Sequence, residues 1–593
     1  MANEVDGLIT CLPSPKISTE VMAGVDGAIH YMKNGSTWIE TSTTDINELK
    51  KVSEIVKEKG IKTIEAPVTG GVHRAEKGII TVLVGAEKKN FLEHEEAIKA
   101  FGGKIFYLGE VGSASVLKVI TNMLAFANLI GSIEGLMLAK KAGLDLTTAY
   151  HAIQSSSGNS AEFETVAPVI LNGSFDTSFS LKLACKDLTL MTSLGKDYKI
   201  PMKFTNLIEK MFIDAKNKWI TPGIIDIHSH MGVYPAPSVR TSSDGNEATS
   251  PVTAEVWAEH SMWVQDPQYA LALKGGITTF HVLPGSANLI GGRGVTVKNL
   301  QRNTIQSMKY PDAKHSLKMA CGENPKRVYG NRGQAPSTRM GNFAGYRKAW
   351  IEAENYLNKL EAYDAKSDEE KMVESPPKRD LRLDTLSDVL KDEILVHIHC
   401  YRAEEMALMI DVAKEFNYKI TAFHHGVEAY KIADLLADNG ICGALWADWW
   451  GFKHEAYDMV QANIAIVDQA RGGKGCAIVH SDDERGIQRL NQEAAKARAA
   501  GNKAGYDISK ARAMNWITSN PAKAAGIYDE TGSLVAGKNA DVVLWSGDPF
   551  SVYSLAEQVF IDGALAFDRN TGFGPVSDFD VGIVDPREDR VND

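Results

Sequence analysis

The 593-residue sequence predicts an α/β protein whose two halves are built differently. Three observations predict this. Up to about residue 213, a few strand–helix alternations pass into a long helical region. Beyond it the alternation returns and continues through eight short apolar runs. Those runs end in polar residues, several of them histidine or carboxylate. Strands alternating with helices imply a parallel sheet, and eight strand–helix units imply a (β/α)8 TIM-like barrel. The expected domains are a partial parallel sheet over 1–110, an all-helical domain over 111–213, the barrel over 214–530, and a small, incomplete β-sandwich over 531–593.

In the first half the strand-like runs are Asp6–Pro13, Ser36–Thr43, Lys62–Gly71, Ile80–Ala86 and Lys104–Gly109. Between two of them, Ile46–Lys59 has a helical pattern with Asp45 as its cap and Gly60 as its stop. From Ser113 to Phe212 the helical period dominates. The barrel strands are "GIIDIHSH", "GITTFHVLPGS", "GVTVKN", "SLKMACGEN", "EILVHIHC", "KITAFHHG", "ICGALWAD" and "CAIVHSDD". The tail returns to short strands, "ADVVLW" and "QVFIDG", without long helices. Thr241–Thr253, rich in Ser, Gly and Asn, is expected to be a mobile loop. The densely charged Glu361–Asp392 is expected to be a solvated helix–loop insertion.

Hydrophobic residues make up 44% of the chain and charged residues 23%, a globular balance. The net charge of −11 argues against nucleic acid or an anionic membrane as the main partner. A small-molecule substrate is expected instead. Met1–Lys16 shows no basic segment followed by an apolar run, so no signal peptide is read there. No apolar stretch reaches the ~20 residues of a membrane helix. Val116–Ala139 is interrupted by Lys118, Asn122, Asn128 and Glu134 and reads as a buried helix. A cytoplasmic location is expected. The six cysteines (Cys11, Cys185, Cys321, Cys400, Cys442, Cys476) form no CxxC pair and read as buried free thiols.

His228 and His230 lie two apart at a strand end, so both imidazoles leave the same face, as ligands of one metal must. Alone, the pattern is weak. Other ligand types recur at other strand ends: Glu323, His399, His424 with His425, and Asp482. A barrel gathers those ends on one face, and imidazole with carboxylate suits Zn²⁺ or a similar divalent ion. His397 points the same way as His399 but lies deeper. His424 faces away from His425 and reads as a packed histidine. Arg327, Tyr329 and Arg339 follow the fourth strand, facing either an anionic substrate or solvent.

From Trp219 to Asp568 the sequence resembles the metal-dependent amidohydrolase superfamily, in its imidazolonepropionase-related branch. "TPGIIDIHSH", "HVLPGSANLIGG", "KMACGENPKRVYG" and "NPAKAAGIYDETGSLVAGKNADVVLWSGDP" carry the resemblance. It implies one or two divalent metals held by His228, His230, His399, His425 and Asp482, with Glu323 as a bridging carboxylate in preference to a carboxylated Lys318. It also implies hydrolysis of a non-peptide or small-peptide C–N bond. Asp482 would move the proton, and His425 would bind metal or the oxyanion. Members of this superfamily usually open with β-strands that pair with the C-terminal strands. Here the barrel motif follows Lys218 almost at once, so the partners of "ADVVLW" and "QVFIDG" are expected to be missing.

In the first half, "EAPVTGG" ends a strand in a Thr–Gly–Gly turn suited to a close carboxylate. "GSASVLKVITN" starts a helix that puts Lys118 and Asn122 on one face. Taken singly, Lys118 also fits a snorkelling surface residue. Together with "FSLKLACKDL" these motifs resemble the β-hydroxyacid dehydrogenase (3-hydroxyisobutyrate dehydrogenase-like) family over Asp6 to about Phe212. The resemblance implies a Rossmann-like sheet and a helical dehydrogenase domain. It implies Lys118 as the catalytic residue, with Thr69, Gly70, Gly71 and Asn122 holding substrate. Leu12, Pro13, Thr43 and Lys186 would lie beside NAD(P). The family's GxGxxG turn is absent and the sequence starts at what would be its fourth strand, so weak or no NAD(P) binding is expected.

The leading reading is a metal-dependent amidohydrolase carrying a truncated dehydrogenase-like region. The alternatives are a bifunctional oxidoreductase and amidohydrolase, or an inactive chimeric join at "LIEKMFIDAKNKWITPG" whose first part acts only in homo-oligomerisation.

Overall fold

The computed structural model describes residues 2–174, 177–215 and 218–571. Two compact units make up the chain, Met1–Lys216 and Asn217–Asp593. The middle of the expected join, residues 216–217, and the tail beyond residue 571 lie outside the described residues.

In the first unit, β1 (Gly7–Thr10), β2 (Thr37–Glu40) and β3 (Lys62–Glu65) form a parallel sheet in that order. A second sheet joins β4 (Val68–Thr69), β5 (Ile80–Val84) and β6 (Gly102–Tyr107), with β4 antiparallel to β5 and β5 parallel to β6. A single antiparallel bridge, Glu65 to Gly85, links the two sheets. Between β2 and β3 runs the Ile46–Glu58 helix. Asp45 caps it by accepting from the N–H groups of Asn47 and Glu48, and Gly60 at φ +71° lets the chain turn back. Its buried Leu49, Val52 and Val56 recur at helical spacing and meet Trp38 of β2 in one apolar cluster.

The Ser113–Lys141 helix starts over the buried Glu65. That carboxylate accepts from the backbone N–H of Gly112, Ala114 and Ser115 and from the Ser115 hydroxyl. An anion thus satisfies the orphan donors of a helix start. The expectation that this helix is buried is not met. It is the one described helix with the length and apolar composition of a membrane span, and 22% of its apolar window is buried. Leu124, Met137 and Leu138 lie exposed on it.

In the second unit, eight strands form one nearly closed sheet in the order β15-β14-β13-β12-β11-β10-β9-β8. They are β8 (Ile224–Ser229), β9 (Ile277–Val282), β10 (Ile290–Lys298), β11 (Ser316–Ala320), β12 (Leu395–His399), β13 (Ala422–His424), β14 (Cys442–Leu445) and β15 (Cys476–Val479). The expected barrel strands are all present. One differs from the expected pattern: β10 is antiparallel to both β9 and β11. No α-helix separates it from either neighbour, so the units are not eight identical strand–helix repeats. Closure comes from the ends: the Asp482 N–H donates to the His228 carbonyl, and the Ser481 N–H and hydroxyl both donate to Asp226.

The tail strands are not left without partners. Trp219–Pro222, here β7, pairs antiparallel with β16 (Val542–Trp545). β16 then pairs with β17 (Ala556–Ile561), and β17 with β18 (Ala564–Asp568). The missing strand is therefore present as four residues immediately before β8, too short to read as a separate strand beside "GIIDIHSH". The Trp545 indole N–H donates to Thr221 Oγ1 at 2.9 Å across this pair.

Two other expectations change. Cys442 and Cys476 are register partners on β14 and β15 and form a disulfide, as do Cys321 and Cys400, which directly follow β11 and β12. Neighbours across a sheet bring together cysteines that sequence spacing leaves scattered. The segment Thr241–Thr253 is tied to the barrel: the Asn288 amide donates to the Glu247 and Ser250 carbonyls and to Thr253 Oγ1. Within Glu361–Asp392 a short Asp368–Val373 helix carries a capping box from Ser367 and Glu370.

Candidate functional site

Side chains from β8, β13 and β15 converge at one mouth of the barrel. The Nε2 atoms of His228 and His230 lie 3.2 Å apart. Asp482 Oδ1 lies 3.2 Å from the first and 3.3 Å from the second. This is close to the edge of about 3.3–3.4 Å made by tetrahedral ligands set 2.0–2.1 Å from one ion. The His230 ring can be assigned. Its Nδ1–H donates to the Leu283 carbonyl at 2.8 Å, which leaves a lone pair on Nε2. In the neutral ring this lone pair and a carboxylate oxygen 3.3 Å away repel unless a proton or a metal ion lies between them. The donor set therefore fits a divalent metal.

A second convergence overlaps the first: ring nitrogens of His228, His425 and His480 all lie within 4.8 Å of one another, as do the ligand atoms of His228, His230 and Asp482. His425 Nδ1 is 3.8 Å from Asp482 Oδ2, and buried without a hydrogen-bond partner. His425 and Asp482 both adopt left-handed backbone, φ +64° and +57°. Non-glycine residues rarely do so, and the cost of about 1–3 kcal/mol is usually met at functional positions.

The remaining candidates lie as follows. His399 ends β12 with its ring 4.8 Å from that of His425; its Nε2 is 3.2 Å from Asn324 Nδ2 and its Nδ1 is buried without a hydrogen bond. Glu323 opens a helix, with its carboxylate 4.0 Å from Lys453 Nζ. It belongs to neither group of converging ligand atoms. Lys318 is fully buried and donates to the Pro284 carbonyl; burial pushes its pKa down to about 7. Arg339 pairs with the buried Glu405 and Glu455, and the Tyr329 hydroxyl donates to the Ser250 carbonyl, so neither side chain waits for a substrate.

Sequence reasoning missed His480. The signal was present: His480 and Asp482 repeat at a strand end the i, i+2 spacing of His228 and His230. It also missed the walls of the cavity. About 750 Å³ of space opens onto His230, His399, His425 and Asp482, walled by Tyr234, Tyr401, Trp446, Trp449, Phe452 and Lys453. Lys453 Nζ lies 4.6 Å over the Tyr401 ring and donates to Asn324 Oδ1 at 3.1 Å. These residues sit on loops with no periodic pattern.

In the first unit, Lys118 Nζ donates to Asn122 Oδ1 at 2.8 Å, and Asn122 Nδ2 to Asp187 Oδ2 at 2.6 Å. Lys186 Nζ pairs with Asp187 at 3.0 Å and donates to the Thr43 carbonyl at 2.7 Å. Lys118 is 7% exposed, and burial pushes its pKa down to about 8. The Leu12 N–H donates to Ser42 Oγ, and Pro13 follows it, exposed in the loop after β1. Thr69 ends β4, which packs against the helix bearing Lys118. Gly70 and Gly71 have φ +127° and +78°, backbone that favours glycine.

A barrel with histidines and a carboxylate converging at one mouth defines one class of protein; a parallel α/β sheet followed by helices bearing a buried lysine defines another. The amidohydrolase family profile matches residues 475–571. Residues 1–109 match the NAD binding domain of 6-phosphogluconate dehydrogenase, and residues 112–221 the NAD-binding domain of NADP-dependent 3-hydroxyisobutyrate dehydrogenase. Amidohydrolase tasK of Hapsidospora irregularis is 32% identical over 379 residues, 61% of this chain and 37% of its own length. The chain thus spans little more than a third of that relative. The 2-(hydroxymethyl)glutarate dehydrogenase of Eubacterium barkeri is 31% identical over 208 residues, 35% of this chain and 69% of its own. A solved amidohydrolase from Thermotoga maritima MSB8 is 35% identical, covers 60% of this chain and 88% of its own, and superposes with a TM-score of 0.54. The chain therefore belongs to the amidohydrolase family in its second unit and to the 3-hydroxyisobutyrate dehydrogenase-like family in its first.

Proposed function

We propose that the barrel is a metal-dependent hydrolase of C–N bonds in small non-peptide or small-peptide amides. The observation that carries this reading is the triangle of His228 Nε2, His230 Nε2 and Asp482 Oδ1 at 3.2–3.3 Å. A divalent ion, Zn²⁺ by the donor set, would lower the pKa of water toward ~7 and polarise the substrate carbonyl. Asp482 accepts the proton of the attacking water and returns it to the leaving nitrogen. His425 stands beside Asp482, placed to hold the oxyanion or to serve as a further ligand. The aromatic walls exclude water and receive an apolar or planar substituent. The test is elemental analysis of the purified chain with assay of an amide panel. One or two divalent ions per chain and activity lost on chelation are expected. A chain that takes up no divalent ion overturns the reading.

A second reading concerns the first unit, and the hydrogen-bonded row Lys118–Asn122–Asp187 favours it. We propose that Lys118 serves proton transfer in NAD(P)-linked oxidation of a hydroxyacid whose carboxylate lies at Thr69–Gly71. Saturable quenching of NAD(P)H fluorescence supports it, and none opposes it. Exposed Leu124, Met137, Leu138, Phe204 and Leu207 on two helices of this unit also support self-association. A monomer at all concentrations in sedimentation would rule that out.

A further inference from the structure

Behind the ligand triangle, three histidines form a hydrogen-bonded row inside the barrel. His228, His424 and His397 come from β8, β13 and β12, and each is 0% exposed. His228 Nδ1 lies 2.8 Å from His424 Nδ1. His424 Nε2 lies 2.8 Å from His397 Nδ1. The row ends where His397 Nε2 lies 3.2 Å from the carbonyl oxygen of Ala524, the last residue of the Ser519–Ala524 helix. His281 stands beside the row, its ring 5.1 Å from that of His397. It does not join, because Thr296 Oγ1 and Ser316 Oγ take its two nitrogens.

The protons of this row follow from its end. A carbonyl oxygen only accepts, so His397 Nε2 carries a proton and donates it. A neutral imidazole has one N–H, so His397 Nδ1 accepts and His424 Nε2 donates. The same step makes His424 Nδ1 the acceptor and His228 Nδ1 the donor. His228 Nε2 is left with a bare lone pair, and it faces His230 Nε2 and Asp482 Oδ1. Reversing any link of the row makes His228 Nδ1 an acceptor, which puts the ring's N–H on His228 Nε2, pointing into the ligand triangle. The row therefore has a single arrangement compatible with a bound cation.

We propose that His424 and His397 are positioning residues that hold His228 as its Nδ1–H tautomer, with the Ala524 carbonyl fixing the direction of the row. His230 achieves the same state in one step, through Leu283. His228 faces the barrel interior, and the carbonyl that orients it is two rings away. This inference rests on the metal-site reading above. Outer partners of metal-bound histidines set ring orientation and basicity, and their loss costs about 10- to 100-fold in metal affinity.

The experiment uses the full chain, stripped with chelator and titrated with Zn²⁺ against a chromophoric competitor. The Co²⁺ absorption spectrum reports coordination geometry, and the melting temperature of the stripped chain reports folding. His424→Leu removes the acceptor facing His228 and is expected to weaken Zn²⁺ binding by about 10-fold or more. His424→Gln can both donate and accept, and is expected to restore binding and the Co²⁺ spectrum. His397→Leu cuts the row one link further out, keeps the His424 acceptor, and is expected to lose less than His424→Leu. It also carries the test if His424→Leu does not fold. Native affinity in both Leu variants, or equal loss in Leu and Gln variants at position 424, overturns the inference alone. Absence of Zn²⁺ binding in the native chain overturns it together with the metal-site reading.

Discussion

The barrel and the first unit hold their candidate site residues by different means. In the barrel, His228, His425 and Asp482 leave strand ends that are remote in sequence; the His228 ring is held by His424, and the His425 and Asp482 backbones donate to the Ala444 and His228 carbonyls. In the first unit, Lys118 and Asn122 share one face of one helix and meet a neighbouring helix through Asp187. The first arrangement supplies the His228–His230 pair from one strand end, but needs the sheet to close before Asp482 joins it. The second needs two helices to pack. A site assembled from many strands is thus rigid and sensitive to the loss of any member, whereas a helix-borne site tolerates change and stores its strain in one buried ammonium.

The largest expected effect follows from the first half of that contrast. Asp482→Ala removes the residue proposed above as both ligand and proton carrier, and is expected to lower amide hydrolysis by at least about 10³-fold. Metal content should fall in parallel, measured by elemental analysis. Hydrolysis at native rate by this variant would show that the triangle is not where the chemistry occurs.

Arg339 tests how far the barrel site depends on its support. It pairs with Glu405 and Glu455, which are 3% and 2% exposed, and Glu455 accepts from the Glu323 N–H at the cavity edge. Arg339→Met leaves two carboxylates buried without their cation. The expected cost is roughly 3 kcal/mol near neutral pH, the low end of the range for breaking a buried pair, because Arg339 is partly exposed. Burial, then repulsion from Glu455, already raises the pKa of Glu405. Protonation therefore relieves the variant, and its deficit in urea unfolding should shrink as pH falls into the carboxylate range.

The first unit should respond in the opposite direction. Burial lowers the pKa of Lys118 from 10.5 to about 8. The unfolded chain therefore binds more protons between those values, and stability rises with pH across that window. Below about pH 8 the charged form is retained at a cost of roughly 3 kcal/mol. Lys118→Met is expected to raise the unfolding midpoint of this unit at pH 7, with the gain fading toward pH 10. A variant that unfolds earlier than the native chain at pH 7 would mean that the hydrogen bond to Asn122 outweighs the burial.

The same contrast explains what could be read from the residues alone. Lys118 and Asn122 were legible because an i, i+4 spacing fixes a helix face without tertiary information. His228 and His230 were legible because an i, i+2 spacing fixes a strand face. His424 reads as a packed histidine because alternation turns it away from His425. That direction is correct, but the curling of the sheet into a barrel, which no local pattern encodes, puts it against His228 Nδ1 of a strand it does not pair with. The disulfides escaped for the same reason, since Cys442 and Cys476 meet only through the pairing of β14 with β15. The reversal of β10 and the aromatic cavity walls depend on loop paths, which composition does not set.

The smallest effect concerns β7, the strand hidden in the run-up to the barrel. Thr221 is the residue through which it holds β16: its Oγ1 accepts the Trp545 indole N–H and donates to the Pro222 carbonyl. Both side chains are buried, Thr221 at 4% and Trp545 at 1% exposed. Thr221→Val keeps the shape and the β propensity and deletes only the oxygen, leaving the indole N–H without an acceptor. The expected cost is about 1–2 kcal/mol, the penalty for one unsatisfied buried donor. Backbone pairing of β7 with β16 is untouched, so metal content should not change. If Thr221→Val instead reduced metal content, the four-residue strand would be setting the position of β8 and its histidines, and the barrel site would extend further into the sheet behind it than the hydrogen bonds alone require.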